Sequence, residues 1–507
     1  MRNDLPFAVR YIKWISAIIL TAGLLHSCSH TKQPLPVKEA RGVWLHRFEY
    51  CEASTTHDQD SIQAYIARVI NRAADANFNI VFFQVRGNGD AYYTPGLEPW
   101  GSLLTGKLGE DPGWDPLEFA LELAHRRGLE LHAWFNTFPI WRGKDPPPET
   151  TPPSPYLTHP EWVVSDSGGT PMPRSDHYVS FSPGIPGVHE HIIEVVLDVL
   201  RRYDIDGVHF DYIRYPENAP SSGFSHDAIS EQRYRSDDGN PLHLDWDDWQ
   251  REQLTEFVAK VYNAITLTNP GVKVSASVIG SYYATGWNAY HIVYQDPRRW
   301  TELGKIDFIA PMIYWPREHP TQPFLKRSIE WQELYTLDRY VFSGIGSYRY
   351  NTPDPPLSWD EAEGQIEDLR KRYIPGMVFF DARSLSSHWL DLARNHFRYP
   401  ANIPPMPWKD AVAPQPPTKL RADLRGSTLN LTWVTPDDED IRRFNIYITD
   451  ELPIDASSGD NLWAVTSSPR LNYTLLLHDH RKARYVAVSA LDAAWNESTL
   501  SEAVSIR

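Results

Sequence analysis

The stretch "DGVHFDYIRYP", Asp206 to Pro216, alternates as a strand does: Val208, Phe210 and Tyr212 fall on one side, His209 and Asp211 on the other. A strand buried in a parallel sheet ordinarily carries apolar residues on both faces. A histidine and a carboxylate on one face therefore need a polar destination. The surrounding sequence supplies one. Similar β-rich runs recur as "RGVWLH" (Arg41–His46), "IVFFQVRG" (Ile80–Gly87), "LELHAWFN" (Leu129–Asn136), "VKVSASVIG" (Val272–Gly280), "IDFIAPMIYW" (Ile306–Trp315), "YVFSGIGSY" (Tyr340–Tyr348) and "GMVFFDARS" (Gly376–Ser384). Helical stretches separate them, such as "DPLEFALELAHRRG", which Gly128 stops. Eight strands alternating with helices predict an α/β fold, a (β/α)8 TIM-like barrel over residues 40–400. A doubly wound sheet is disfavoured, because no glycine-rich phosphate turn follows an early strand.

In such a barrel the helix-facing set of each strand is apolar, and the axis-facing set near the C-terminal ends makes the active-site floor. Alternation assigns to the axis Gln84 and Arg86; His132, Trp134 and Asn136; His209 and Asp211; Ser275 and Ser277; Met312 and Tyr314; and Asp381 beside Phe379. Asp211 is the leading catalytic candidate, with Asp381 or Asp90 (in "GNGDAYY") as its partner. Gln84, Arg86, His132, Asn136, His209, Arg214 and Tyr314 are candidate substrate-binding residues, and Trp134, Trp141 and Trp315 are candidates for stacking on sugar rings. Plainer roles compete with these: His209 as a core histidine holding Asp211, Arg86 as the neutraliser of a carboxylate, Asp381 as a helix cap. The long connections Thr137–Gly187 and Pro216–Asp245 are expected to wall a cleft.

A chain of 507 residues exceeds one ordinary core, and 41% hydrophobic with 13% aromatic residues marks it as globular. A net charge of −16 argues against nucleic acid or an anionic membrane surface as the main partner. Residues 1–27 read as a leader: Arg2, Arg10 and Lys13 precede "WISAIILTAGLL", too short for a convincing membrane span. It ends in "LLHSC", which resembles a bacterial lipoprotein signal. That resemblance implies lipidation at Cys28 and a membrane-anchored envelope protein of the outer membrane or periplasm, with residues 28–39 as a tether. Only Cys51 would then remain, so no intrachain disulfide is expected. Residues 401–416 read as a Pro-rich linker. Residues 417–507 read as a small all-β domain, with "LNLTWVTP", "RRFNIYIT" and "YVAVSALDAAWNES" resembling a fibronectin type III sandwich of seven strands. Such a module serves as a spacer or as a platform for glycan or protein contact.

Carboxylates, amides and aromatic rings suit glycoside chemistry: one acid protonates the leaving oxygen and a second carboxylate assists at the anomeric carbon. Their separation decides the outcome, about 5 Å for retention and about 6.5–9.5 Å for inversion. No His-x-His on the first strand, no His-Glu-x-x-His and no Gly-x-Ser-x-Gly occurs. Neither a metal, a cofactor nor a serine nucleophile is therefore expected.

The segments "RGVWLH", "NIVFFQVRGNGDAYY", "PWGSLLTGKLGEDPGWDPLEFALELAHRRGLELHAWFN", "HPEWV", "DIDGVHFDYIRYP" and "IDFIAPMIYW" together resemble the bacterial glycosyl hydrolase-like 10 family, in order from about residue 39 to 400. The resemblance implies a barrel glycosidase, with lipoprotein members acting on peptidoglycan glycan strands. Tyr212 stands where a common family form has a second Asp. More distantly, "DGVHFDYI" and "MIY" are similar to the fourth and sixth strands of family 18 chitinases. Asp206, Asp211 and Tyr314 match there, but Ile213 replaces the acid Glu. Three readings follow: a glycoside hydrolase acting on a cell-envelope polysaccharide; a non-catalytic glycan-binding lipoprotein, which Ile213 would favour; and a scaffold acting through the C-terminal domain.

Overall fold

The computed structural model describes residues 35–52, 57–217, 223–334, 339–351, 357–435, 441–467, 472–476 and 483–507. The leader and Cys28 lie outside the described residues. Eight parallel strands form the barrel: β1 (Ala40–Leu45), β2 (Ile80–Arg86), β3 (Glu130–Asn136), β4 (Gly207–Asp211), β5 (Lys273–Ile279), β6 (Phe308–Met312), β7 and β8 (Gly376–Phe379). β7 is broken at Phe342 into Tyr340–Val341, which pairs with β6, and Ser343–Ile345, which pairs with β8. Its two halves thus join the ends of the ladder and close the ring, which removes the open edges of the sheet.

The helices form where the sequence signals place them. Asp115 caps the helix Pro116–Arg126 by accepting from Glu118 N, with Pro116 in the first turn, and Gly128 follows at φ +77°. Pro186–Arg202 turns Val188, Ile192, Val195, Val196 and Val199 inward against the strands. Each such side chain contributes about 1.5–3 kcal/mol by leaving water. The outward residues Val43, Val81, Phe83, Leu131 and Phe210 belong to the same layer.

The axis is filled differently. His209 is fully buried, and its Nε2 accepts from Trp44 Nε1 at 3.0 Å and contacts Ser277 Oγ at 2.8 Å; its Nδ1 meets Ser275 Oγ at 2.8 Å. An indole N–H only donates, so the ring proton sits on Nδ1. Burial, then the neighbouring His132, pushes the His209 imidazole well below its ordinary value, keeping it neutral.

Residues 418–505 contribute two sheets. Thr418–Arg425, Thr428–Val434 and Asn472–Leu476 form one; Leu462–Ser467, Arg443–Thr449, Tyr485–Leu491 and Val504–Ser505 form the other. Leu429, Leu431 and Trp433 share one core with Phe444, Ile446, Ile448, Val486 and Val488, so the sheets pack face to face.

This β domain closes the N-terminal mouth of the barrel. Ile403, Met406, Leu491 and Trp495 pack with Trp44, Phe82, Phe308 and Phe342. The start of the Pro-rich stretch is therefore no free spacer: Asn402 bridges to Lys38, and Ile403 and Met406 are fully buried. Glu130, at the floor, receives Lys273 Nζ at 2.8 Å, Trp495 Nε1 at 2.6 Å and His132 Nε2 at 3.0 Å. Asp206 sits at this same end, bonded to His125 Nε2 at 2.8 Å and Arg443 Nη2 at 3.1 Å. Although it begins the chitinase-like motif, it lies a full strand from Asp211 and ties the two domains together.

Candidate active site

β4 delivers Asp211 to the C-terminal end of the barrel, and the chain then leaves strand geometry at once. Tyr212 adopts a left-handed conformation at φ +51°, and its N–H donates to Asp211 Oδ1 at 2.6 Å. The turn breaks the alternation that the sequence suggests. Tyr212 swings onto the cavity side, while Ile213 drops into the helix-facing core, its carbonyl accepting from Gln295 Nε2. The position that carries an acid in the chitinase motif thus faces away from the cavity in this chain. Arg214 returns to the site: its Nη1 lies 3.3 Å from Asp211 Oδ1, and its guanidinium sits 4.2 Å over the Tyr212 ring.

Asp211 forms part of a cavity of about 300 Å³ lined also by Trp44, His46, Arg47, Phe48, Gln84, Trp134, Asn136, Tyr178, Tyr212, Arg214, Ser277, Met312, Tyr314 and Phe380. A second cavity of about 510 Å³ shares Tyr178, Tyr212 and Arg214 and extends past Arg142, His177 and Glu217. The larger cavity, about 690 Å³, lies at the opposite barrel end between Asp206, Lys273 and Arg443. That face of a barrel serves stability rather than chemistry, so the smaller pair marks the site.

Burial raises the Asp211 carboxyl above its ordinary range, and Arg214 offsets only part of that. One wall is a ladder of amides. Gln84 Oε1 accepts from Arg47 N at 3.1 Å and Nη1 at 3.2 Å, Gln84 Nε2 donates to Asn136 Oδ1 at 3.1 Å, and Asn136 Nδ2 donates to the Gly87 carbonyl at 3.0 Å. The amides fix Arg47, whose Nη2 reaches Asn88 Oδ1 and Tyr178 OH. Tyr178 arrives on a hairpin, Pro139–Arg142 with Tyr178–Ser180, inside the long connection expected to wall the cleft.

Asp381 stands just beyond β8. The alternation puts it on the axis beside Phe379, but Phe379 turns outward against Phe78 and Phe397, and Phe380 is the ring that enters the cavity. Asp381 Oδ2 lies 3.0 Å from His46 Nε2, and Oδ1 accepts from Ser384 N at 2.9 Å. Burial pushes its carboxyl up, but the His46 bond and charge, the Ser384 N–H and Glu49 together outweigh this and hold it below the ordinary value. Asp381 does not itself line the cavity; it is bonded to His46 and follows Phe380, which do, so one carboxyl in the cavity is pushed up and one beside it is pushed down. Tyr314, stacked on Phe380 at 5.5 Å, feels the charge of both.

The other sequence candidates lie elsewhere. Asp90 accepts from Gly87 N, Asn88 N and Tyr92 OH and so ties its own loop. Arg86 pairs with Glu98 at 2.7 Å, not with Asp211, and holds the carbonyls of Asn136, Thr137 and Pro139. His132 and His209 are buried in the axis below the cavity. Trp141 donates to the Asp145 carbonyl, and Trp315 lies outside the cavity lining, its ring near His319. Sequence reading missed His46, Arg47, Glu49, Tyr178 and Tyr212. His46 had a signal as the strand-end residue that caps the helix Arg47–Cys51, whereas Tyr178 had none.

His46, Glu49 and Asp381 offer three ligand-type atoms within 4.8 Å of one another. However, Glu49 N–H, shared with the His46 carbonyl, points at His46 Nδ1 at 3.2 Å, which makes Nδ1 an acceptor and leaves the ring proton on Nε2. With its proton on Nε2, His46 faces Asp381 as a donor, and a cation here would have to displace that proton and the bond it makes.

Comparison with known proteins agrees with this architecture. The barrel resembles the glycoside hydrolase domain of PgaB (BpsB) from Bordetella bronchiseptica, with a TM-score of 0.50 at 15% identity over 71% of this chain and 99% of that domain. In sequence the chain is 29% identical over 420 residues to glycosyl hydrolase YngK of Bacillus subtilis (strain 168), covering 78% of this chain and 79% of the relative. It is 31% identical over 361 residues to glycosyl hydrolase DigH of Escherichia coli (strain K12), covering 66% and 78%. Residues 39–360 match the glycosyl hydrolase-like 10 family, and the chain belongs to that family.

Proposed function

We propose that this protein is a glycoside hydrolase acting on a cell-envelope polysaccharide, the glycan strands of peptidoglycan, with Asp211 as general acid. The observation that carries the reading is the opposed pair: Asp211, buried in the cavity and raised, and Asp381 beside it, lowered by its bonds to His46 and Ser384. Carboxyls whose environments push them apart divide into acid and base roles. Asp211 would protonate the glycosidic oxygen, while Asp381 would assist at the anomeric carbon or activate a water. Trp44, Trp134, Phe48 and Phe380 offer apolar faces, and Arg214, Tyr212 and Tyr178, shared with the adjoining cavity, offer donors to a second sugar. The envelope setting rests on the lipoprotein-like leader with Cys28, and the β domain would be a fibronectin type III-like module open to glycan or protein contact.

The test is mass spectrometry of purified peptidoglycan glycan strands, with and without stem peptides, after incubation with the protein. New, shorter saccharides from the wild type and none from Asp211→Asn are the expected result. No products from any strand, alongside measurable binding, would refute the hydrolase and leave the glycan-binding reading.

A further inference from the structure

Glu49 lies in the first turn of the helix that follows β1 and is fully buried, yet its two oxygens differ. Oε2 accepts from Tyr65 OH at 3.3 Å and from Arg383 N at 3.1 Å. Oε1 has no hydrogen-bond partner among the described residues. His46 Nε2 lies 3.2 Å from Oε1, but its one proton is spent on Asp381 Oδ2 at 3.0 Å. A carboxylate would share its negative charge with an oxygen that no donor addresses, beside a second carboxylate; this is a large cost in a buried site. A carboxylic acid fits both oxygens: Oε2 as the carbonyl that takes two donors, Oε1–H as the donor that lacks an acceptor.

We infer that Glu49 is a positioning residue, a neutral carboxylic acid at pH 7 whose Oε1–H is given to Asp381, so that His46 and Glu49 together keep Asp381 ionised. The charged and titratable groups facing Glu49 are His46 at the end of β1, Asp381 and Arg383 after β8, and Tyr65 on the helix Gln59–Asp75. Burial, then the charge of Asp381, raises the Glu49 carboxyl well above its ordinary value, outweighing Arg383 and Tyr65. Arg383 directs its side chain partly elsewhere, to the Phe48 carbonyl and Glu52. The effect on turnover rests on the proposed role of Asp381.

Two measurements test this. The first is an infrared difference spectrum of the full chain at pH 7, wild type minus Glu49→Gln. It should contain the stretching band of one protonated carboxyl; carboxylate bands instead would overturn the inference, whatever the protein cuts. The second is the acidic limb of kcat/KM on glycan strands. Glu49→Ala removes a donor from Asp381, so kcat should fall about 10–100-fold at unchanged KM and the limb should move to higher pH. Glu49→Gln keeps a donor and should return the limb to its wild-type position. Were Glu49 ionised, the same substitution would delete a negative charge and move the limb about one unit or more to lower pH, overturning the inference. If wild-type protein cuts no glycan, the function proposed above fails, and the infrared difference alone decides the state of Glu49.

Discussion

Lys273→Met probes how the barrel floor is held. Lys273 Nζ bonds Glu130 Oε1 at 2.8 Å and the Ala493 carbonyl at 2.7 Å, and Glu130 is fully buried. The substitution leaves Glu130 with Trp495, His132 and, at 3.6 Å, Arg443. Removing one partner of a buried ion pair costs about 3–5 kcal/mol, because the other charge stays desolvated. At about 2.1 cal/mol/K per residue, unfolding of a chain of 507 residues carries about 1 kcal/mol/K, so Tm should fall by about 3–5 °C. The pH dependence has a definite sign. Burial pushes Glu130 up, but Lys273, His132 and Arg443 outweigh it and hold its carboxyl below the ordinary 4.5. A depressed acid contributes stability above its unfolded value that is lost as pH falls through the folded one. The deficit of Lys273→Met should therefore be largest at neutral pH and shrink on acidification. Glu130→Gln combined with Lys273→Met removes both charges and should recover most of the loss. Calorimetry of the wild type, the single variant and the double variant from pH 7 down to about pH 2.5 is the assay, since the Glu130 contribution is lost between its ordinary 4.5 and its folded value of about 2. A single variant within 1 °C of wild type at pH 7, or a deficit that grows on acidification, would refute the argument. Deleting residues 417–507 strips Trp495, Arg443 and the Ala493 carbonyl at once, and should leave a barrel that does not fold.

Four further outcomes concern the site. Because burial raises Asp211, its ionised form costs stability at pH 7; Asp211→Asn should raise Tm while abolishing turnover. Arg214 is the cation that restrains that rise, so Arg214→Met should move the basic limb of the pH–rate profile about one unit upward, and a downward move would argue against Asp211 as the acid. Tyr212→Val puts a β-branched residue at φ +51° and should cost about 1–2 kcal/mol by denaturant unfolding. A Cβ added at Gly87 would fall 2.2 Å from the Arg47 guanidinium, so Gly87→Ala should displace Arg47 and lower kcat/KM about tenfold or more while the strands remain intact.

Strand existence, order and helix stops were readable because each rests on local chemistry: period-two alternation, capping aspartates, and a glycine at φ +77° after the helix Pro116–Arg126. Asp211, Gln84, Asn136, Trp134 and Tyr314 were placed at one cavity for the same reason, since alternation holds to the end of a regular strand. It fails one residue later. A single left-handed residue at Tyr212 exchanges the faces of Tyr212 and Ile213, and nothing in the sequence marks it, because a tyrosine is an improbable occupant of that region. The same parity error at β8 put Phe379 on the axis in place of Phe380.

The partners of a carboxylate are harder still to read, because they depend on approaches between distant segments. Glu49 and Asp381 are 332 positions apart, and Tyr178 reaches Arg47 across 131 positions through a hairpin in a proline-rich connection. Composition likewise marks 401–416 as a Pro-rich linker, and only the fold shows that Ile403 and Met406 within it pack into the barrel mouth. The chemistry proposed for Asp211 consequently rests on two kinds of information. Strand periodicity brings Asp211 to the barrel's end, and only the closed fold reveals that His46 and Glu49 converge on Asp381, the carboxylate proposed as its partner.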